Sequence, residues 1–219
     1  MYLPAHFAES RPEVLRALMA AHPLAAVVVQ AGGELLANHL PLMFEHGAGA
    51  DAEPGVLRGH VARANPLWSC VADGQPVLAI FQGPQAYISP NWYPTKQEHG
   101  KVVPTWNYCT VHVHGSLHVH DDVDWVHDLV SRLTDRHEAS QARPWAAQDA
   151  PADYLQALLR NIVGIEVRIT RLEGKWKMSQ NQPAANRLGA QAGLRSSAQD
   201  AERHGAVADL IAQQAPPGA

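Results

Sequence analysis

The segment Cys109 to His120, CTVHVHGSLHVH, alternates apolar and polar side chains one residue at a time, a pattern that a helix would scatter around its surface and a strand sorts onto two faces. As a strand it turns Val111, Val113, Leu117 and Val119 one way and His112, His114, Ser116, His118 and His120 the other. A strand of this kind is stable only in a sheet with one face covered, so the stretch predicts a mainly β fold. The histidines do not form a zinc site among themselves. Neighbours two apart lie roughly 6.6 Å apart, and His112 and His120 about 26 Å apart if Gly115 leaves the strand unbroken, against ligand distances near ~2 Å. No Cys-x-x-Cys or His-Glu-x-x-His accompanies them, so no metal is expected and the imidazoles read as a solvated or interface face.

The remaining elements follow from local signals. Arg11 to His22, RPEVLRALMAAH, comes after Ser10 as an N-cap, with Pro12 at the first helical position and Val14, Leu15, Leu18 and Met19 at helical spacing. Pro23 ends that helix. Leu24 to Gln30, the turn Ala31-Gly32-Gly33-Glu34 and Leu35 to Phe44 read as a hairpin, followed by a flexible loop at Gly47 to Gly55. Strands are expected at Val56 to Val61, Pro76 to Gln82, Ala86 to Ile88 and Cys109 to His120. After the acidic turn DDVD, Val123, Val126, Leu129, Val130 and Leu133 predict a helix over Asp122 to His137, and a shorter one follows at Ala152 to Asn161. Ile162 to Leu172 alternates again, with Gly174 expected to turn it toward Lys175 to Met178. The succession suits a barrel or sandwich with flanking helices better than a βαβ array.

With 219 residues and 46% hydrophobic content, a single domain over 1–219 is expected: a barrel with inserted helices over 1–178, then one or two surface helices and a disordered PPGA tail over 179–219. Apolar runs such as Leu24 to Val29 fall far short of the roughly 20 residues that span a bilayer, and MYLPAHFAES lacks the regions of a secretory signal, so a cytoplasmic protein without a membrane partner is expected. Cys70 and Cys109 sit among apolar neighbours and read as two buried thiols. The net charge of −4 and the absence of any Lys or Arg run argue against a protein that grips duplex DNA chiefly through its phosphates. Gly-x-Ser-x-Gly, Walker A and Gly-x-Gly-x-x-Gly signatures are missing.

Polar and aromatic clusters recur at the ends of the expected strands: Asn38-His39-Leu40-Pro41, then Arg58 to Trp68, Tyr87 to Tyr93, Val103 to Tyr108 and Lys177 to Asn181. Prolines that end strands and aromatics that cover a barrel mouth would explain them structurally. The same inventory suits a planar polar ligand bearing a phosphate, with Arg63 and Asn65 for the phosphate, Trp and Tyr faces for a ring, and amides for its polar edge.

In that order the clusters resemble the PaiB family of FMN-binding negative transcriptional regulators, through MYLPAHF, HVARANPLW, AYISPNWY, VPTWNY and KMSQN, over roughly Met1 to Gly193. The resemblance implies a split β-barrel of the flavin-reductase-like type, FMN as cofactor, and a homodimer with flavin sites at the interface. His60, Arg63 and Asn65 match the HxxRxNP segment where related split barrels hold the ribityl phosphate, and Trp68 closes it. Asn38, His39 and Leu40 match the strand along the ring. Ser89, Thr105, Trp106 and Asn107 match the later signature segments, and Lys177 and Gln180 the one near the final strand. Of the four histidines only His112, in a Val-His-x-x-Gly run, is implicated. Gln182 departs from the pattern, which commonly carries a basic residue there.

Two functions follow. One is a repressor with FMN as structural or sensing cofactor; lacking a helix-turn-helix, it would touch DNA indirectly or through Arg187, Arg195 and Arg203. The other is a flavin-dependent oxidoreductase using FMN and NAD(P)H. A split barrel that dimerises without a ligand is the structural alternative.

Overall fold

The computed structural model describes residues 1–47, 55–197 and 200–214, so the expected loop tip at 48–54 and the PPGA tail lie outside the described residues. In chain order the elements are β1 (Ala8–Glu9), α1 (Pro12–Ala21), β2 (Leu24–Ala31), β3 (Glu34–Pro41), β4 (Met43–Glu45), β5 (Val56–Ala62), α2 (Leu67–Cys70), β6 (Gln75–Ile88), α3 (Thr95–His99), β7 (Thr105–His120), α4 (Val123–Glu138), α5 (Ala152–Leu159), β8 (Ile162–Lys177), α6 (Ala184–Ser196) and α7 (Ala201–Gln213). The strands form an antiparallel sheet in the order β3-β2-β6-β7-β8-β5-β4, with β1 paired to β8. By compactness the chain forms two units, the first from Met1–Leu18, Gln82–Val111 and Glu173–Ala219, the second from Met19–Phe81 and His112–Leu172.

In the second unit the alternation of β7 has the expected result: Val113 and Leu117 are fully buried, and His112, His114, Ser116 and His118 are half-buried. Val27, Leu57, Phe81, Ile165 and Val167 complete a core without solvent exposure. β5 and β8 pair antiparallel from Val56↔Arg168 to Ala62↔Ile162, which sets Arg58 directly opposite Glu166. Glu166 is only 5% exposed, and its oxygens accept from Arg58 Nε at 2.8 Å and Arg168 Nε at 3.1 Å. Burial alone would raise its pKa; the two arginine hydrogen bonds prevail and hold it below the ordinary value. α4 begins at Asp122, whose carboxylate accepts from Trp125 N at 2.7 Å, and its Leu129 and Leu133 pack with Met43.

In the first unit Ile88, Cys109, Val111, Met178, Leu194 and Ile211 form the core. Burial pushes the Cys109 thiol up to about 12. The C-terminal helices are less superficial than their composition suggests, because α6 buries Ala190 and Leu194 and α7 buries Val207, Ala208 and Ile211.

Other expectations change for definable reasons. Gly174 makes no turn: β1 pairs at Ala8↔Lys175 and Glu9↔Gly174, and this ladder carries β8 straight through. Leu35 to Phe44 is two strands, broken at Leu42, whose N–H donates to Pro23 O at 2.9 Å outside the β2–β3 ladder. Pro76 to Gln82 and Ala86 to Ile88 are one strand, and β7 starts four residues before Cys109. Cys70 is exposed, since the one-turn helix that it ends buries only Leu67.

Gly115 keeps β7 continuous where the sheet leaves no room: a Cβ there would lie 2.3 Å from Arg168 O and 2.7 Å from Val167 Cγ1. Gly115→Ala is therefore expected to destabilise the fold by about 1 to 3 kcal/mol. Urea unfolding monitored by tryptophan fluorescence gives the number, and an unchanged midpoint would refute the close approach.

Candidate functional site

The residues singled out in the sequence fall into two groups, one in each unit. In the second unit the turn after β5 is built by side chains bonding to nearby backbone. Asn65 Oδ1 accepts from Leu67 N at 2.9 Å, and Trp68 Nε1 donates to Arg63 O at 2.8 Å. Asn65 Nδ2 donates to Asn38 Oδ1 at 2.8 Å, which joins the HxxRxNP segment to the β3 segment. Leu40 is buried in the core, whereas His39, next to it on the strand, is exposed. His112 is half-buried on the polar face of β7.

Arg63 has each guanidinium nitrogen engaged. Nε donates to Arg160 O at 2.7 Å, Nη1 to Asp121 Oδ2 at 3.0 Å and Nη2 to Asp121 Oδ1, while the guanidinium lies 5.6 Å from the centroid of the Trp68 ring. The hydrogen bond from Arg63 holds the Asp121 carboxyl below its usual range. Asp121 was legible in the sequence only as part of an acidic helix start; that it answers Arg63 depends on a pairing 58 residues apart.

His60 lines an open cleft of about 310 Å³ with Pro41, Val130, Leu133 and Trp145 among its walls. Its Nδ1 is buried and makes no hydrogen bond, and burial lowers its pKa.

In the first unit Asn107 is fully buried on β7 and its Nδ2 donates to Ser179 Oγ at 2.8 Å, leaving Oδ1 without a donor. Ser179 has φ of 62°, a left-handed conformation that non-glycine residues adopt only where their surroundings over-determine it. Gln180 clamps the same turn, donating to Trp176 O at 2.5 Å and accepting from Met178 N at 2.7 Å. Lys177 Nζ donates to Thr105 Oγ1, and its pKa is lowered chiefly by burial. Trp106 is 54% exposed and meets the Tyr87 ring edge-on at 6.1 Å. Ser89 serves the backbone, accepting from Asn91 N at 3.2 Å to cap the short turn at Pro90–Trp92. Ser179 lies inside the Lys177 to Asn181 cluster but was not singled out as a site residue, because nothing local in the sequence marks its left-handed backbone or its bond to Asn107.

These features suit a flavin. An orphaned buried amide oxygen, an indole face open to solvent and a partly desolvated lysine are groups that bind the edge, face and electron-rich end of a heterocycle. Solved structures agree on the fold. The flavocytochrome Anf3 from Azotobacter vinelandii superposes with a TM-score of 0.52 at 16% identity, covering 78% of this chain and 69% of its own. An FAD and heme binding protein from Mycobacterium smegmatis gives 0.52 at 17% identity, covering 78% and 73%. The fold is thus the split β-barrel of the flavin-reductase-like type, mainly β with flanking helices.

Sequence relatives narrow this class to a family. Residues 1–171 match the family model described as "Putative FMN-binding domain". The "Protease synthase and sporulation protein PAI 2" of Bacillus subtilis is 30% identical over 182 residues, 83% of each chain, and a protein of Aspergillus fumigatus is 33% identical over 231 residues, 86% of this chain and 88% of its own. The chain belongs to the PaiB family of FMN-binding domains, and FMN is its cofactor.

The buried neutral imidazole of His60 gives the stability a pH dependence. Its folded pKa lies below the ordinary 6.5, so the unfolded chain takes the proton first, and stability present above pH 6.5 is lost as pH falls below it. Urea midpoints at about pH 7.5 and about pH 5.5 should show that loss, and His60→Gln should shrink it. An identical drop in the variant would assign the effect to other histidines.

Proposed function

We propose that this protein is a homodimeric, FMN-dependent negative regulator of transcription in which the flavin is a structural or sensing cofactor. The observation that carries the regulatory reading is how the candidate residues of each unit use their polar groups: they are spent on hydrogen bonds that fix turns, at 63–68 in the second unit and at 176–180 in the first. The Bacillus subtilis relative, whose name refers to protease synthesis and sporulation, supports the same reading.

When bound, FMN supplies redox and light-absorbing chemistry; the chain supplies position. Trp106 offers a ring face, Asn107 Oδ1 an acceptor, and Lys177 a positive charge for the electron-rich end of the ring. In the second unit Arg63 and Asn65 are the groups suited to a phosphate, and Arg63 would bind one by exchanging the Asp121 carboxylate for a phosphate oxygen. The first unit also exposes Tyr2, Val103 and Leu188, apolar side chains that a second copy of the chain would cover.

Contact with DNA is indirect in this reading. Of the three C-terminal arginines, Arg187 is only 7% exposed, Arg195 pairs with Asp209 at 2.8 Å and Arg203 with Asp200 at 3.0 Å, so they make no free basic face. The second reading, a flavin-dependent oxidoreductase, is favoured by the 54% exposure of Trp106, an aromatic surface on which a nicotinamide would stack.

FMN and riboflavin titrations of the purified protein, followed by NAD(P)H oxidation and gel-shift assays, separate the readings. Arg63→Ala should weaken FMN binding on the order of tenfold while leaving riboflavin unchanged, and Asp121→Asn, which frees the guanidinium, should tighten FMN. Equal affinity of both variants and the parent would remove Arg63 from the phosphate site.

A further inference from the structure

The polar face of β7 carries a second arrangement of side chains, none of them assigned to the flavin. Ser116 and His118 are two residues apart on one strand and therefore share that face. The imidazole reaches back along the strand, so that His118 Nε2 and Ser116 Oγ are 3.1 Å apart, while His118 Nδ1 lies 3.0 Å from Asp73 Oδ1. An ionised carboxylate only accepts, so in the neutral ring Nδ1 carries the proton and donates to Asp73, and Nε2 accepts from the Ser116 hydroxyl. The ring is thereby held in the tautomer and orientation that a base for Ser116 requires.

The acid is placed by a turn that is itself fixed to the same strand. Asp73 and Gly74 form the turn that leads into β6. Gly74 has φ of 77°, and its N–H donates at 2.8 Å to the carbonyl of Leu117, the residue between Ser116 and His118. Gln75 N closes the turn on Ala72 O at 3.0 Å, and Gln75 Oε1 accepts from Ala72 N at 3.1 Å. A Cβ on Gly74 would lie 3.8 Å from His118 Cε1, so the turn runs along the edge of the ring. The His118 side chain is 16% exposed and Ser116 is half-buried, which limits the water competing for their hydrogen bond; Asp73 stands at the solvent edge. Hydroxyl, base and orienting acid thus come from one strand and one pinned turn, all within the second unit.

We propose that Ser116, His118 and Asp73 form an acyl-transfer site that hydrolyses small activated esters. His118 Nε2 takes the hydroxyl proton as Ser116 Oγ bonds to the acyl carbon, and it gives that proton to the alkoxide or phenoxide that leaves. Water then attacks the acyl-serine and passes a proton to His118 Nε2, which returns it to Ser116 Oγ as the carboxylic acid is released. Asp73 acts through His118 as a positioning residue and balances the imidazolium charge formed in each half of the cycle. The substrate class is a short acyl group on a good leaving group such as an aryl oxide, whose departure asks for little stabilisation of the tetrahedral oxyanion. The assignment is independent of the flavin reading, because the two use separate residues.

p-Nitrophenyl acetate and the full-length protein test it, with nitrophenolate release followed by absorbance and acetylated residues mapped by peptide mass spectrometry. An acetyl group on Ser116 is expected, formed and then lost by turnover. Ser116→Ala should remove that adduct and the turnover that accompanies it, and His118→Gln should slow acetylation of Ser116 about a hundredfold. Asp73→Asn, in an exposed turn, should slow it about tenfold, less than a buried acid would, with an unchanged urea midpoint. Asp73→Glu, which keeps a carboxylate on the turn, should recover most of that loss. Acetylation confined to other residues, or a Ser116 rate that neither Asp73→Asn nor His118→Gln lowers, overturns the proposal.

Discussion

The register between β5 and β8 depends on a buried charge. Glu166 lies opposite Arg58 in the ladder and is nearly inaccessible to water, a position that is strongly unfavourable for a carboxylate unless both oxygens are met. Arg58 meets one and Arg168 the other, and Arg58 continues to Glu45 at 2.8 Å on the short strand β4. A slip of one residue would turn Glu166 to the apolar side and leave Arg58 without its partner. The aromatic layer follows the same anchor: the Arg58 guanidinium lies 5.6 Å from the Trp125 ring centroid, and His120 stacks on Trp125 at 4.0 Å with the rings 4° from parallel. One cross-strand ion pair thereby ties together β4, β5, β8 and the first turn of α4.

The candidate flavin residues illustrate how a binding protein can spend most of its polar groups on shape. Asn65, Trp68, Ser89 and Gln180 all bond to backbone within a few residues of themselves, and they hold turns rigid. In the first unit three groups are left for a ligand: the half-exposed indole of Trp106, the buried Asn107 Oδ1 that meets no donor, and the Lys177 ammonium, which gives one hydrogen bond to Thr105. Rigid turns presenting few polar contacts are what recognition of a preformed heterocycle needs, since little ordering is left to be done on binding. Arg63 differs, being held by a carboxylate of its own chain, so a phosphate must compete for it.

Some of this was legible along the chain. The helices at Pro12–Ala21 and Val123–Glu138 were marked by their caps and apolar spacing, and the faces of β7 by alternation, because these signals are local. The family could be read from the resemblance of several clusters taken in order, MYLPAHF through KMSQN. Gly174 and Cys70 were misread for the opposite reason. A glycine looks like a turn until a distant strand, β1, is found to pair across it, and an apolar neighbourhood in sequence says nothing about which side of a one-turn helix faces water.

By itself the sequence determined periodicity, capping and the mainly β class, since backbone geometry converts local spacing into faces and ends without reference to the rest of the chain; the flavin-binding family came from the resemblance of its motif clusters. Tertiary structure alone decided which acid answers Arg63, that Arg187 is buried, and that Ser179 adopts a left-handed backbone beside Asn107. Those facts depend on groups dozens of residues apart being brought within hydrogen-bonding range. Packing makes that choice, and no local pattern records it.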